Sequence, residues 1–245
     1  MTAAVHSLWR HPIKAHGREE VSAATLIPGQ CLPGDRVYAV AHEASKADGS
    51  EWARCSNFTR AAGSPALMAI TSRTEGNRLV LSHPGRPDLD FDPATQQDAF
   101  LDWVAPLMPE GRAAPARLVR AQAQGMTDSS WPSVTLCSLA SHRAVEKELG
   151  QDLSLHRWRG NIWLDGLEPW QEFDWIGREL RLGGAILKVR ERTTRCLATA
   201  SNPETGLRDA DTLGALDTWG HRDFSVKAEV TEGGAVRPGD RLELL

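Results

Sequence analysis

A single thiol lies at the end of a cationic segment of the chain. Cys196 follows three arginines and two threonines in the run Arg190-Glu-Arg-Thr-Thr-Arg-Cys196. Nearby cations lower the pKa of a thiol, which makes its thiolate available as a nucleophile or as a ligand for a soft metal ion. Threonine hydroxyls are donors for the oxygens of an oxo or phosphate group. The run therefore predicts a reactive or metal-binding sulfur beside an anion.

A second basic cluster lies upstream, in the segment Arg157-Trp158-Arg159-Gly160-Asn161. It supplies two guanidinium groups and one carboxamide, all of which bind anionic or carbonyl oxygens. The two clusters together favour a pocket lined by cations with one reactive sulfur. The alternative is a half-buried cysteine near the end of a strand, with arginines that only face solvent.

The composition is that of an ordinary globular protein. The 245 residues are 41% hydrophobic and 24% charged, enough for one large or two small domains with a substantial core. The formal net charge of −4 argues against nucleic acid as a partner, while a local basic pocket stays open. Nine tryptophans stand against one tyrosine, and we expect most of them in packing.

From its sequence we expect the chain to carry neither a secretory signal nor a transmembrane helix. Residues 1–6 begin without a long apolar run, so no membrane partner is expected. The four cysteines (Cys31, Cys55, Cys137 and Cys196) are widely spaced and include no CxxC pair. This spacing argues against a zinc ribbon, a thioredoxin-type dithiol and a cysteine-ligated iron–sulfur cluster. We therefore expect a cytoplasmic protein with free thiols.

Turn signals and short apolar runs predict a mostly β protein with a few helices, of the α+β class. Many short strands favour a barrel over a doubly wound sheet. The predicted strands include 37–41, 66–71, 78–82, 161–164, 179–182 and 185–189. The predicted helices are 94–101, 141–149 and 211–216, and Ser141 and Gly150 provide the two ends of the second. The segment 106–115, rich in Pro, Gly and Ala, is the best linker candidate.

Short motifs, taken in chain order, resemble those of MOSC-domain proteins, in which a β-barrel domain precedes the MOSC domain. His11-Pro12-Ile13-Lys14 resembles the Tyr-Pro-Ile-Lys-Ser opening of the N-terminal domain, and Gly34-Asp35-Arg36-Val37 is similar to its Gly-x-x-x-Asp-Arg strand. Residues 157–162 resemble the Arg-Phe-Arg-Pro-Asn-Ile motif, and residues 195–206 resemble the Arg-Cys-x-x-Thr…Asp-Pro-x-Thr-Gly block. The resemblance implies an N-terminal β-barrel-like domain, 1–115, packed against a β-barrel MOSC domain, 116–245.

MOSC proteins bind the molybdenum cofactor, and the resemblance implies roles for the matching residues. Cys196 would be the protein ligand of the metal, and Lys14 and Arg36 would hold the pterin phosphate. Arg159 and Asn161 would bind the pterin or line the open face of the metal, and with Cys196 they are the candidate catalytic residues. The further candidate cofactor contacts are Ser138, Ser141 and Arg195.

The chain departs from the family pattern at three of these motifs. Ala15 stands in place of serine, which removes a hydroxyl donor near the phosphate. Gly160 stands in place of proline and should leave its loop more pliable. Asn202 stands in place of aspartate, which removes a carboxylate near the pocket.

The resemblance implies an oxidoreductase related to the mitochondrial amidoxime-reducing component and its bacterial relatives. It would reduce N-hydroxylated small molecules, or N- or S-oxides, by two-electron oxygen-atom transfer at the cofactor. No ferredoxin-type cysteine cluster is present, so we expect a separate electron-donor protein of the ferredoxin, flavodoxin or cytochrome type. The alternative is a non-catalytic carrier of the cofactor, or of sulfur, that uses Cys196. A β-barrel without a cofactor is the third hypothesis.

Overall fold

The computed structural model describes residues 3–245, which contain fifteen strands, three α-helices and six 3-10 helices. The strands are β1 (Ala4–Arg10), β2 (Glu19–Val21), β3 (Ala24–Leu26), β4 (Tyr38–His42), β5 (Thr71–Glu75), β6 (Arg78–His83), β7 (Arg86–Phe91), β8 (Pro115–Arg120), β9 (Val134–Ser138), β10 (Ile162–Asp165), β11 (Glu179–Leu182), β12 (Ala185–Thr194), β13 (Asp223–Glu232), β14 (Gly234–Val236) and β15 (Leu242–Leu244). The α-helices are α1 (Gln97–Val104), α2 (Leu139–Leu149) and α3 (Thr212–Asp217). This content confirms the expected mostly β, α+β class.

Eight strands form one curled sheet, a half-barrel, in the order β15-β11-β12-β13-β9-β10-β1-β2. Neighbouring strands are antiparallel except for β9 and β10, which are parallel. The curl brings β1 against the turn that precedes β15, where Val5 N donates to Asp240 O at 2.8 Å and Gly239 N donates to Val5 O at 2.7 Å. The first 21 residues thus complete a sheet whose other strands all follow residue 133.

The chain between β3 and β9 forms smaller sheets beside the half-barrel. Strands β5, β6 and β7 make a three-stranded meander, and β4 pairs with β8. Helix α1 covers the meander, with Phe100 stacked on Phe91 at a ring-centroid distance of 5.3 Å. The pair of β3 and β14 joins the early part of the chain to its end. No helix of residues 3–245 is long and apolar enough to cross a membrane.

Strand alternation places the core of the large sheet on its concave side. Val134 and Leu136 of β9 are fully buried, as are Val226 and Ala228 of β13. Side chains at every second position of a strand point to the same face, so these four residues meet. Burial of apolar side chains of this kind stabilises the sheet that positions the candidate site.

Local sequence signals place several turns correctly. The Gly183–Gly184 hairpin is confirmed, with Leu182 paired to Ala185 across it. Gly150 ends α2 in the left-handed conformation (φ +65°), and the Asp211 side chain accepts from Gly214 N to cap α3. These residue types adopt their conformations for local reasons, which is why the sequence alone identifies them.

Two predicted elements are wrong or displaced. Residues 66–71 do not form a strand, because Pro65 opens a 3-10 helix, Pro65–Ala69, that buries Leu67 and Met68, and β5 starts only at Thr71. Helix α1 begins three residues later than predicted, at Gln97. Pro at a first helical position favours a helical turn over a strand, and that preference prevails here.

Helix α2 begins at Leu139, and its cap is Ser138, whose Oγ accepts from Ser141 N at 3.2 Å. The prediction that Ser141 caps this helix is therefore wrong. Ser141 is a buried residue of the first turn. Its Oγ lies 2.8 and 2.9 Å from the two carboxylate oxygens of Glu172 and accepts from Trp170 N at 2.8 Å. Burial raises the pKa of Glu172 to about 7, against the opposing effect of the Ser141 hydrogen bond.

A Glu172→Gln variant tests this buried carboxyl group. The folded pKa of Glu172 lies above its ordinary value of 4.5, so its stabilising contribution is present in acid and is lost as the pH rises through about 7. From pH 4.5 to pH 8, the unfolding free energy of wild type should fall by about 2–3 kcal/mol relative to the variant. Urea denaturation at both pH values measures this difference.

Glu168→Gln, an identical change at an exposed position of the same segment, is the control and should show no such trend. If the difference in unfolding free energy between wild type and Glu172→Gln stays constant from pH 4.5 to pH 8, the predicted titration is contradicted.

Candidate functional site

The two N-terminal motifs lie side by side in the structure. The segment after β1 runs along residues 36–38, where Arg36 N donates to His11 O at 2.7 Å and Lys14 N donates to Tyr38 O at 2.8 Å. Ile13 and Tyr38 form a parallel bridge between the two segments. Backbone pairing therefore brings Lys14 and Arg36 together, although they are 22 residues apart in the sequence.

Asp35 orients Arg36 through a buried ion pair. Its carboxylate is fully buried, accepts from His11 N at 2.8 Å and pairs with the Arg36 guanidinium. Burial alone would raise the pKa of Asp35, but the Arg36 charge and the His11 hydrogen bond hold it well below its ordinary value. Arg36 itself has φ +51°, a left-handed conformation that is uncommon outside glycine. Asp35 is thus a structural counter-ion rather than a simple turn residue.

Lys14 is buried and holds the loop that leads into β9. Its Nζ donates to Met126 O at 2.8 Å and lies 2.5 Å from Asp128 Oδ1. Burial lowers the pKa of Lys14, while the charge of Asp128 opposes that effect. The loop of residues 125–132 is partly buried, with Met126 fully covered.

Arg159 lies against Arg36 from the other half of the chain. Its carbonyl oxygen accepts from Arg36 Nη2 at 3.0 Å, and its backbone is left-handed, with φ +49°. The Nη2 atom of Arg159 is buried and has no hydrogen-bond partner. Burial, and then the charge of Arg36, lower the pKa of Arg159 to about 9. We call Lys14, Arg36 and Arg159 the cation cluster.

A buried donor without an acceptor is uncommon in folded proteins and indicates that a partner is missing. The unpaired Arg159 Nη2 atom lies on a guanidinium on which another cation, Arg36, has the largest effect of any charged group, lowering its pKa. An anion placed against both groups would supply the missing acceptor and neutralise the repulsion. The cation cluster therefore has the composition of an anion-binding site.

Cys196 lies just beyond β12, as the first residue before the 3-10 helix Leu197–Ala200. Its side chain is exposed and free, and its carbonyl oxygen accepts from Thr199 N and Thr199 Oγ1 at 3.2 and 3.1 Å. Arg157, which is buried, donates to Thr199 O at 3.5 Å and to Asp209 Oδ1 at 2.5 Å. Arg157 thus links the cysteine turn to the segment that carries Arg159.

Two of the predicted cofactor contacts hold the backbone instead. Arg195 donates to Trp158 O and Phe224 O at 2.7–3.0 Å and to Ser225 Oγ at 2.6 Å. Asn161 accepts from Thr135 N at 3.1 Å and donates to Trp9 O at 3.2 Å. Both side chains hold the backbone around the site, and their predicted roles toward a cofactor stay predictions.

The predicted contacts Ser138 and Ser141 are occupied within the first turn of α2, as described above. Neither hydroxyl is hydrogen-bonded to the cation cluster among residues 3–245. The same part of the chain holds no group of three His, Cys, Asp or Glu side chains arranged around a metal position. The structure therefore brings Lys14, Arg36 and Arg159 together and leaves the two serines apart.

Two family models cover the chain almost completely. One, described as the MOSC N-terminal beta barrel domain, matches residues 2–130, and the other, the MOSC domain, matches residues 131–243. The chain belongs to the MOSC family. This confirms the resemblance that the motifs indicated, and no curated protein matches the chain.

Solved structures similar to this MOSC chain are distant in sequence. A YUAD protein from Bacillus subtilis is 12% identical, with a TM-score of 0.46 over the whole of this chain and 96% of that one. YiiM from Geobacillus stearothermophilus is 21% identical, with a TM-score of 0.37, and YiiM from Escherichia coli is 17% identical, with a TM-score of 0.35. Each YiiM alignment covers 46% of this chain, and the match spans about half, 53%, of the YiiM chain.

The structure explains the departure of Asn202 from the MOSC pattern. Its Nδ2 donates to Asp209 Oδ2 at 2.7 Å, and its Oδ1 accepts from Glu204 N at 2.8 Å. An aspartate at position 202 would place two carboxylates at this distance, where they repel each other. Asp209, held by Arg157, thus supplies the carboxylate that the Asn202 position lacks.

Sequence reasoning missed several residues that build this MOSC site. Arg18 is buried and donates to Met68 O and Pro203 O at 3.0 Å and to Glu204 at 3.0 Å, which fastens the loop after Cys196. His156 is half-buried and packs edge-on against Trp9, at a ring-centroid distance of 4.2 Å. Nothing in the local sequence distinguishes Arg18 from a surface arginine, because its partners are 50 and more residues away.

Two cavities of the structure lie outside the cation cluster. One, of about 350 Å³, is lined by residues such as Arg10, Tyr38 and Arg120 and lies among β4, β6 and β8. The other, of about 360 Å³, lies beside Trp175 and β15. The candidate site is therefore defined by the cation cluster, where the N-terminal motifs meet the segment of Arg159, and not by the size of a cavity.

Gly160 packs directly against Cys137, so the glycine is needed for space. A Cβ atom at position 160 would lie 2.2 Å from Cys137 Sγ. We predict that Gly160→Ala destabilises the protein by about 1–3 kcal/mol, because the sulfur is fully buried and cannot move aside. Chemical denaturation measures the change.

A Cys137→Ala change in the same chain should remove most of this penalty, since the next atoms are 3.5 Å away. Gly85→Ala, at which a Cβ atom finds ordinary contacts, is the control. Equal penalties for Gly160→Ala with and without Cys137 would contradict the steric explanation.

Proposed function

We propose that this MOSC protein binds the molybdenum cofactor at the cation cluster and reduces N-hydroxylated small molecules. The observation that carries the proposal is the buried, unpartnered Nη2 atom of Arg159 beside Arg36. An anionic phosphate is the acceptor that such a pair of guanidinium groups binds well. The family model over residues 131–243 supports molybdenum cofactor as the source of that phosphate.

The residues of the site fit both ends of such a cofactor. Lys14, Arg36 and Arg159 supply charged donors for a phosphate and for the carbonyl oxygens of a pterin. Cys196 is exposed and free, and a thiolate suits a high-valent metal that also carries dithiolene sulfurs. In this proposal Lys14, Arg36 and Arg159 hold the organic part, and Cys196 is the protein ligand of the metal.

The other residues of the site act by holding these groups in position. Asp35 keeps Arg36 charged and oriented, and Arg157 connects the cysteine turn to the Arg159 segment. Arg195 and Asn161 hold the backbone next to Arg159 and Cys196, through Trp158 O and Thr135 N respectively. A site on rigid elements with satisfied supporting hydrogen bonds keeps its geometry when ligands bind.

The bound cofactor would supply two-electron oxygen-atom transfer. In the proposed overall reaction, an N-hydroxylated compound takes up two electrons and two protons and gives the reduced compound and water. The electrons come from a separate donor protein of the ferredoxin, flavodoxin or cytochrome type. Exposure of Cys196 leaves this side of the site open to solvent, which delivers the protons.

The non-catalytic carrier stays the second candidate, because Cys196 is exposed enough to hold a cofactor or a persulfide for transfer. The cytoplasm is the proposed compartment, supported by four free cysteines. The division into 1–115 and 116–245 stays a prediction.

Metal and pterin content test the binding part of the proposal. In protein made by a host that synthesises the cofactor, wild type should contain near-stoichiometric molybdenum and pterin. Cys196→Ala should lose the molybdenum. Lys14→Gln should lose at least half of the pterin, because Lys14 is buried and no other cation can take its place against the phosphate. Elemental analysis and fluorescence of the oxidised pterin measure both, with Cys55→Ala as the thiol control.

Wild type without metal or pterin would contradict the proposal. Molybdenum unchanged in Cys196→Ala would keep the pocket and exclude the thiol as the ligand. Tungsten in place of molybdenum would be detected in the same measurement.

Turnover separates the enzyme from the carrier. With a reduced artificial dye as electron donor, cofactor-loaded wild type should convert an N-hydroxylated amidine to the amidine and oxidise dye in equal amounts. Cys196→Ala should reduce the rate by at least about 100-fold, because loss of a group that only supports a metal ligand already costs about 10–100-fold. Loaded protein that binds the cofactor but never oxidises the dye would support the carrier instead.

A further inference from the structure

One carboxylate, that of Asp128, contacts the cation cluster directly, since its Oδ1 lies 2.5 Å from Lys14 Nζ. Its charge raises the pKa of all three cations of the cluster and also that of the neighbouring Arg195. The charge of Asp35, in comparison, acts on Arg36 and Arg159. Asp128 therefore lies where an anion is attracted by all four groups at once.

The backbone around Asp128 is anchored while its side chain is free to turn. Met126 N donates to Arg36 O at 2.8 Å, Met126 O accepts from Lys14 Nζ at 2.8 Å, and Thr127 O accepts from Trp52 Nε1 at 3.0 Å. The Asp128 side chain is 73% exposed, whereas its partner Lys14 is 7% exposed. Rotation of the Asp128 side chain would thus release Lys14 without any movement of the loop.

The two members of this ion pair have unequal needs. Lys14 is buried, so it requires an acceptor, and Met126 O supplies only one. The Asp128 side chain is 73% exposed, so water can solvate its carboxylate when the contact with Lys14 is broken. Any stronger anion that reaches Lys14 will therefore replace Asp128.

From these contacts we infer that Asp128 occupies the anion position of the site before a ligand binds and is displaced by the phosphate of the ligand. The inference rests on the proposed function, in which the cation cluster takes a phosphate. Asp128 keeps Lys14 paired before the ligand arrives and raises the threshold for binding. A doubly charged phosphate overcomes this competition more readily than a singly charged anion, so Asp128 is a specificity-determining residue for ligand charge.

Phosphate binding to the cofactor-free protein tests the inference. The full chain is produced in a host that cannot synthesise the cofactor and is titrated calorimetrically with inorganic phosphate at constant ionic strength. Asp128→Asn keeps the size of the side chain and removes the charge. We expect it to bind phosphate roughly fivefold more tightly than wild type, from loss of the competing ion pair and of anion repulsion.

Asp102→Asn is the matched control, since it makes the same charge change at an exposed position of α1. It should bind phosphate as wild type does, and Lys14→Gln should bind it at least tenfold more weakly. Phosphate affinity in Asp128→Asn equal to or below that of wild type would overturn the inference.

Cofactor content distinguishes this inference from the proposed function. Wild type that carries pterin, with unchanged phosphate affinity in Asp128→Asn, overturns the inference and leaves the function standing. Tighter phosphate binding in Asp128→Asn, in a wild type that never carries pterin, supports the competition at Lys14 and removes molybdenum cofactor as its natural ligand.

Discussion

Burial of several cations at one seam is the constraint on which the site depends. Lys14 and Arg159 lose much of their hydration there, and burial lowers the pKa of both. Like charges in such a place are tolerated only if anions or carbonyl oxygens face them. Asp35, Met126 O and Arg159 O provide part of that compensation. The positive charge that these groups leave uncompensated would attract an anionic ligand.

The fold meets this constraint with unusual backbone conformations and dedicated supports. Arg36 and Arg159 both adopt left-handed φ values, and a single hydrogen bond joins the side chain of one to the backbone of the other. Strain of this kind persists where the surroundings determine the conformation fully. Arg195 provides such surroundings, because its guanidinium contacts Trp158 and Phe224, which stack at 3.8 Å.

Local chemistry made part of this structure predictable. The hairpin at Gly183 and the stop at Gly150 follow from backbone preference, and the β-rich class follows from many short strands and turns. Family motifs located Lys14 and Arg36, and the structure brings them together. Tertiary contacts decided the rest. Ser141 is buried because its hydroxyl hydrogen-bonds Glu172, which lies 31 residues further on. Asp128 contacts Lys14 only through the tertiary fold of the chain. No local pattern encodes such long-range partners.

The position of β1 also affects how the protein folds while it is being synthesised on the ribosome. Residues 4–10 pair with residues 162–165 and contact the turn at residues 239–240, almost the whole chain length away. During synthesis β1 can pair early only with β2, and it must wait for β10 and, longest of all, for the turn at residues 239–240. Long-range pairing of this kind slows folding and exposes strand edges in the interval. Synthesis speed and chaperone occupancy at the nascent N-terminus would then influence how much protein reaches the native state.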